Sequence, residues 1–105
     1  HHLKVLRLSG IHLEDWHFIT LIEALPTSHL EELDVSNNNI QCQGILAMAE
    51  QLPRIHSLKM IDLYLNPWEK RTESRNEECW LAILQGIRAN DSIEIFRTRD
   101  DDCQA

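Results

Sequence analysis

Apolar and polar residues alternate in three short stretches built on one template. Leu3-Lys4-Val5-Leu6-Arg7-Leu8, Leu30-Glu31-Glu32-Leu33-Asp34-Val35 and Leu58-Lys59-Met60-Ile61-Asp62-Leu63 each carry apolar residues at the first, fourth and sixth places. A fourth, degraded copy is Ile93-Glu94-Ile95-Phe96-Arg97-Thr98. A period of two predicts a short strand with one buried face. Between the strands the period lengthens. Phe18, Leu21, Ile22 and Leu25 follow helical spacing before Pro26, and Ile45, Met48, Ala49 and Leu52 follow it before Pro53. Trp80, Ile83, Leu84 and Ile87 do so again, ending near Asn90. Proline stops a helix at equivalent places in the first two copies. Strands separated by helical crossovers predict a parallel sheet.

The copies start at residues 3, 30, 58 and 93, at spacings of 27, 28 and 35. Each of the first three continues alike: Ser9-Gly10-Ile11-His12-Leu13, Ser36-Asn37-Asn38-Asn39-Ile40 and Tyr64-Leu65-Asn66-Pro67-Trp68. Overlaid, they read L-x-x-L-x-L-x-x-N-x-L, and three copies in phase make a specific signal. The chain resembles the leucine-rich repeat family over nearly its whole length, and its period resembles the ribonuclease-inhibitor-like class. The resemblance implies an α/β solenoid of about three and a half repeats, with a curved parallel sheet on the concave face and helices on the convex face. It departs from the family at Ile11, where Asn or Cys is usual, and at Thr98 and Asp101 in the fourth copy. Asn38 and Asn66 hold the ninth position, where a side-chain amide can satisfy neighbouring backbone inside a turn. They are read as structural. Gly44 resembles the glycine that this class often places at a helix start.

The third copy is longer. Thirteen residues separate Asn66 from Trp80, against six between Asn38 and Ile45. The excess falls within the polar stretch Glu69–Glu78, predicted to be a solvated loop or an extended helix start, with Lys70, Arg71 and Arg75 as candidate partner contacts. Residues 93–105 read as a degraded, polar C-terminal cap of the single domain 1–105.

Alternation along each strand sends every second side chain to the concave face. Val5, Glu32, Met60 and Ile95 form one row, Arg7, Asp34, Asp62 and Arg97 the next, and Ser9, Ser36, Tyr64 and Arg99 a third. With strands about 4.8 Å apart, Asp34 and Asp62 should lie close enough to repel. The candidate partner-binding residues on this face are Arg7, Glu32, Asp34, Met60, Asp62, Tyr64, Arg97 and Arg99. Trp68 fills the last apolar position of its copy and Trp80 lies on a helix stripe, so both are expected in the core. Trp16, at a loop-to-helix junction, is expected to staple onto it.

Composition narrows the chemistry. The 105 residues make one domain, 43% hydrophobic and 26% charged. Ten Lys and Arg stand against seventeen Asp and Glu, for a net charge of −7, which disfavours nucleic acid and anionic membranes. No apolar run approaches the length of a membrane span, and the chain opens without a signal-peptide core. Cys42, Cys79 and Cys103 are odd in number, widely spaced and free of a C-x-x-C pattern. They are expected to be reduced thiols in an intracellular compartment, cytoplasmic, nuclear or organellar. The six histidines show no H-E-x-x-H, and neither a phosphate-binding glycine loop nor G-x-S-x-G is present. No metal, cofactor or catalytic residue is expected.

The resemblance implies a non-catalytic module that binds a partner protein through its concave face or the third-copy insertion. An accessory subunit docked inside a larger complex is the alternative. A Ran-type GTPase-activating protein, which resembles the class in architecture, is a third. Because Leu3, Leu6 and Leu8 open the chain directly in a strand, the first copy is expected to be covered by further repeats or by a partner.

Overall fold

The computed structural model describes residues 3–69 and 75–98. Four three-residue strands alternate with three helices: β1 (Val5–Arg7), α1 (Asp15–Ala24), β2 (Glu32–Asp34), α2 (Cys42–Gln51), β3 (Met60–Asp62), α3 (Arg75–Ala89) and β4 (Ile95–Arg97). The strands form one parallel sheet in the order β1-β2-β3-β4. Its register aligns Val5, Glu32, Met60 and Ile95 in one row and Arg7, Asp34, Asp62 and Arg97 in another. Parallel strands adjacent in sequence and in space, joined by crossovers of the usual single hand, place every helix on the same side of a sheet.

That side holds the core. Leu33 and Ile61 on the two central strands, and Val35 and Leu63 just beyond them, are fully buried in one core with Phe18, Ile22, Ile45, Met48 and Ile83 of the helices. Their counterparts on the edge strands, Leu6, Leu8 and Phe96, are only partly buried. Pro26 and Pro53 lie in one-turn 3-10 helices, Leu25–Thr27 and Leu52–Arg54, that carry α1 and α2 back towards the sheet. Glycine sets the helix spacing. A Cβ on Gly86 of α3 would stand 2.9 Å from the Ala49 carbonyl oxygen of α2, so the two backbones touch where any other residue would part them. One on Gly44 would stand 2.7 Å from Asp15 Oδ1, and that carboxylate accepts a 2.6 Å bond from the Gln41 amide at the start of α2.

The turns after the strands share a backbone conformation. Gly10, Asn37 and Leu65, at the same place in the first three copies, have φ of 70°, 53° and 60°. Glycine and asparagine enter this left-handed region readily, but an ordinary L-residue pays about 1–2 kcal/mol. Leu65 is also 52% exposed and so gains little from burial. Leu65→Asn should stabilise the fold by about 1 kcal/mol, read as a rise in the urea midpoint. A lower midpoint would show that the leucine side chain makes up its backbone cost.

Three expectations need correction. Trp16 is 65% exposed and stacks on His17 with ring centroids 3.7 Å apart, so it does not staple onto the core. Leu84 is 59% exposed, because α3 packs on α2 along one flank and the helical stripe is wider than that contact. Cys42 and Cys79 are not free thiols. They form a disulfide, with their Cα atoms 6.0 Å apart, that joins the first residue of α2 to the second turn of α3. Helix packing creates this pair from positions 37 residues apart, which no local motif announces. Trp68 is buried, and Trp80, partly buried, packs on it with centroids 5.0 Å apart.

Candidate functional site

All-parallel sheets are normally covered on both faces. Here one face is packed by helices and the other is bare. Val5, Tyr64 and Ile95 are 37%, 43% and 45% exposed on it, Arg7 and Arg97 are exposed, and Glu32, Asp34, Met60 and Asp62 are half-buried. The expected rows therefore stand side by side in the sheet, apart from Arg99, which lies outside the described residues. Lys70 and Arg71 lie outside them as well. Arg75 begins α3, and its side chain is likewise outside the described residues.

The central row runs Arg7, Asp34, Asp62, Arg97, with the two carboxylates in direct register. Each turns one oxygen back to its own chain: Asp34 Oδ1 accepts the Ser36 amide at 3.0 Å and Asp62 Oδ1 the Tyr64 amide at 3.0 Å. These bonds fix the carboxylates at the ends of their strands. Above them the Ser36 hydroxyl donates to Ser9 Oγ at 3.1 Å, and the Asn37 amide donates to the Tyr64 carbonyl at 2.7 Å. The result is a firm, polar strip between an aliphatic edge and an exposed tyrosine.

Asn38 and Asn66 hold up the turns behind this face. Asn66 is 4% exposed; its Oδ1 accepts the Ile40 amide at 3.0 Å, and its Nδ2 donates to the Val35 and Leu63 carbonyls at 3.0 and 3.1 Å. Asn38 Oδ1 accepts the Ile11 and Leu13 amides at 3.1 and 2.8 Å, and its Nδ2 reaches the Leu8 carbonyl at 2.8 Å. Each asparagine thus ties its own turn to the one before it. Asn90 does similar work behind α3, donating to the Leu52 and Ile55 carbonyls at 2.7 and 2.8 Å. The sequence marks Asn90 only as a helix end.

A second row, which the same overlay contains, crosses the strand entrances. Lys4, Glu31, Lys59 and Glu94 occupy equivalent places and are linked strand to strand by backbone bonds of 2.7–2.8 Å. Lys4 Nζ lies 3.2 Å and Lys59 Nζ 4.0 Å from the Glu31 carboxylate. The Lys4 hydrogen bond, then the charges of Lys4 and Lys59, hold the Glu31 carboxyl below its ordinary value of 4.5. A carboxyl depressed on folding stabilises above its unfolded pKa, and that contribution is lost as pH falls through its folded pKa. Thermal midpoints should therefore decline on the acid side of 4.5. Glu31→Gln should flatten part of that decline by slightly lowering the midpoint at neutral pH, the effect being small because exposed pairs contribute little. An acid-side slope identical to wild type would count against the Lys4–Glu31–Lys59 cluster as its source.

Among the described residues, no group of three His, Cys, Asp or Glu is placed to hold a metal ion. No helix among them is long and apolar enough to cross a membrane. An open cleft of about 350 Å³ is lined by Gly10, His12, Glu14 and Asn37–Asn39, and the Asn38 amide there is taken up by backbone.

No family model matches the chain, and no curated protein matches it. A solved structure does: leiomodin-1 actin-binding site 2. It superposes with a TM-score of 0.75 over 93% of this chain, at 16% identity. The chain spans 54% of the length of that leiomodin-1 chain. At this identity the likeness shows the fold, a parallel sheet with strand–helix alternation.

Proposed function

We propose that this chain is a non-catalytic protein-binding module of the leucine-rich-repeat type, which takes a partner polypeptide on the bare face of its sheet. The observation that carries the reading is the uncovered face itself. A parallel sheet keeps Tyr64, Met60, Val5 and Ile95 at least partly in solvent around an Arg7–Asp34–Asp62–Arg97 strip in strict register. Preorganised charges beside aliphatic and aromatic surface favour one partner orientation over others. The solenoid reading rests on the 27- and 28-residue spacings of the first three copies, the in-register strands and the asparagine ties. The leiomodin-1 segment that shares the fold is named for actin binding, which makes monomeric actin the first partner to assay. The accessory-subunit reading draws on a different observation, the exposed Leu3 and half-buried Leu6 and Leu8 along the β1 edge.

The test is a paired binding measurement. Partners recovered by cross-linking from the native source, and actin directly, are titrated against wild type, Asp34→Lys/Asp62→Lys and a deletion of residues 70–76. Reversal of two charges in the strip should weaken binding at least about tenfold and alter its salt dependence. Unchanged affinity in the double reversal overturns the sheet-face reading, and a loss confined to the deletion assigns the contact to the insertion. An intracellular location belongs to the same proposal, and the Cys42–Cys79 bond would then face thiol reductants.

A further inference from the structure

Helix α3 is tied to α2 in two different ways. Its C-terminal half is held by close packing: Gly86 lies against Ala49 and Leu52, Ile83 is fully buried, and Asn90 bonds the Leu52 and Ile55 carbonyls. Its N-terminal half has much less. Glu77, Glu78 and Leu81 are exposed and Trp80 is half-buried; among residues 77–81 only Cys79 is buried, with no exposed surface. The covalent bond to Cys42 is the principal tie of that half.

The two cysteines differ in exposure. Cys79 is enclosed, whereas Cys42 is half-buried at the first position of α2. Exchange begins at the sulfur that a reductant can reach. We propose that the Cys42–Cys79 disulfide is a thiol-exchange site, entered at Cys42 by a dithiol reductant, that releases the first turns of α3 while the sheet stays folded.

The chemistry balances without another reagent. A thiolate of the reductant bonds to Cys42 Sγ, the Cys42–Cys79 bond breaks, and Cys79 departs as a thiolate that takes a proton. The second thiol of the reductant then displaces Cys42 and closes its own ring disulfide. Two electrons and two protons pass to the protein. A thiolate leaving into the enclosed site of Cys79 is poorly solvated, so exchange proceeds with lifting of the surrounding helical turns. Lifting uncovers the Trp68 ring, which packs beneath Trp80. The sheet has ties of its own, because Asn38 and Asn66 bond backbone in the strands' own turns and none of those partners lies in α3.

The experiment is amide hydrogen exchange by mass spectrometry on the full chain, oxidised and after dithiothreitol, with alkylation to count free thiols. On reduction, amides of residues 76–82 should exchange between about tenfold and about a thousandfold faster, the upper value set by the loop entropy a disulfide removes. Amides of β1, β2 and β3 should change less than about twofold, and acrylamide should quench tryptophan fluorescence more. Cys42→Ser should exchange like reduced wild type and ignore the reductant; should that variant fail to fold, the two wild-type states decide. Alkylation of Cys42 or Cys79 in the unreduced protein overturns the proposal. So does equal protection in both states, or acceleration shared by all the strands.

Discussion

Replacing Asn66 with alanine should cost this chain about 3–5 kcal/mol of folding free energy. The side chain is 4% exposed and makes its three shortest bonds to backbone groups, the Ile40 amide and the Val35 and Leu63 carbonyls, with the Tyr64 carbonyl farther off at 3.5 Å. Val35, Ile40 and Leu63 are themselves fully buried, so water does not readily replace the amide. Leaving a buried polar group unpaired costs about 1–3 kcal/mol each, and the three act as one network. Asn66→Asp should be nearly as damaging, because a carboxylate accepts the Ile40 amide but donates to neither carbonyl. Asn38→Ala should cost less, about 1–2 kcal/mol, since Asn38 is only half-buried and Ile11 beside it is 52% exposed. Urea midpoints of the three variants give the ranking. A loss at Asn66 no larger than at Asn38 would mean that water enters the turn and that the ladder is not a burial effect.

The legible part of this protein is the part that repeats. Overlaying Leu3–Leu8 on Leu30–Val35 and Leu58–Leu63 aligns Arg7 with Asp34 and Asp62, and the sheet register aligns them too. Even the degraded fourth copy forms β4, because Phe96 keeps the inward position although Thr98 has replaced a leucine. The alternating row of Lys4, Glu31, Lys59 and Glu94 lay in the same overlay, at the second place of each copy.

What stayed illegible depends on which elements meet. A helical stripe shows that Ile83, Leu84 and Ile87 share a flank, but only the width of the α2–α3 contact buries Ile83 and exposes Leu84. Trp16 stands at a loop-to-helix junction, where a staple onto the core is expected, yet it is exposed on α1. The Cys42–Cys79 bond follows from a helix pair that carries no cysteine motif. The bare face likewise shows its residues and their order, while the partner that would select among them leaves no trace in the repeat pattern.

Gly86→Val should destabilise the fold by about 3 kcal/mol, and its cause is a backbone contact that spacing rules do not reveal. A Cβ at this position meets the Ala49 carbonyl oxygen and Leu52 Cδ1 at 2.9 Å each, and the Ala49 Cα at 3.3 Å. The leucine tip can swing aside, but the helix backbone has no such freedom. Relief requires α3 to move off α2, which would loosen Ile83 from the core and lengthen the Asn90 bonds to Leu52 and Ile55. Valine recovers little of this through helix propensity, being only a few tenths of a kcal/mol better than glycine. Gly86→Ala separates the two effects: its propensity gain of about 1 kcal/mol works against a smaller clash, so its loss should be clearly less than that of valine. Because the damage lies between α2 and α3, it should be smaller while the Cys42–Cys79 bond still joins them, and denaturation under reducing and non-reducing conditions should show that difference. Valine tolerated with no change in midpoint would mean that the two helices do not touch at Gly86.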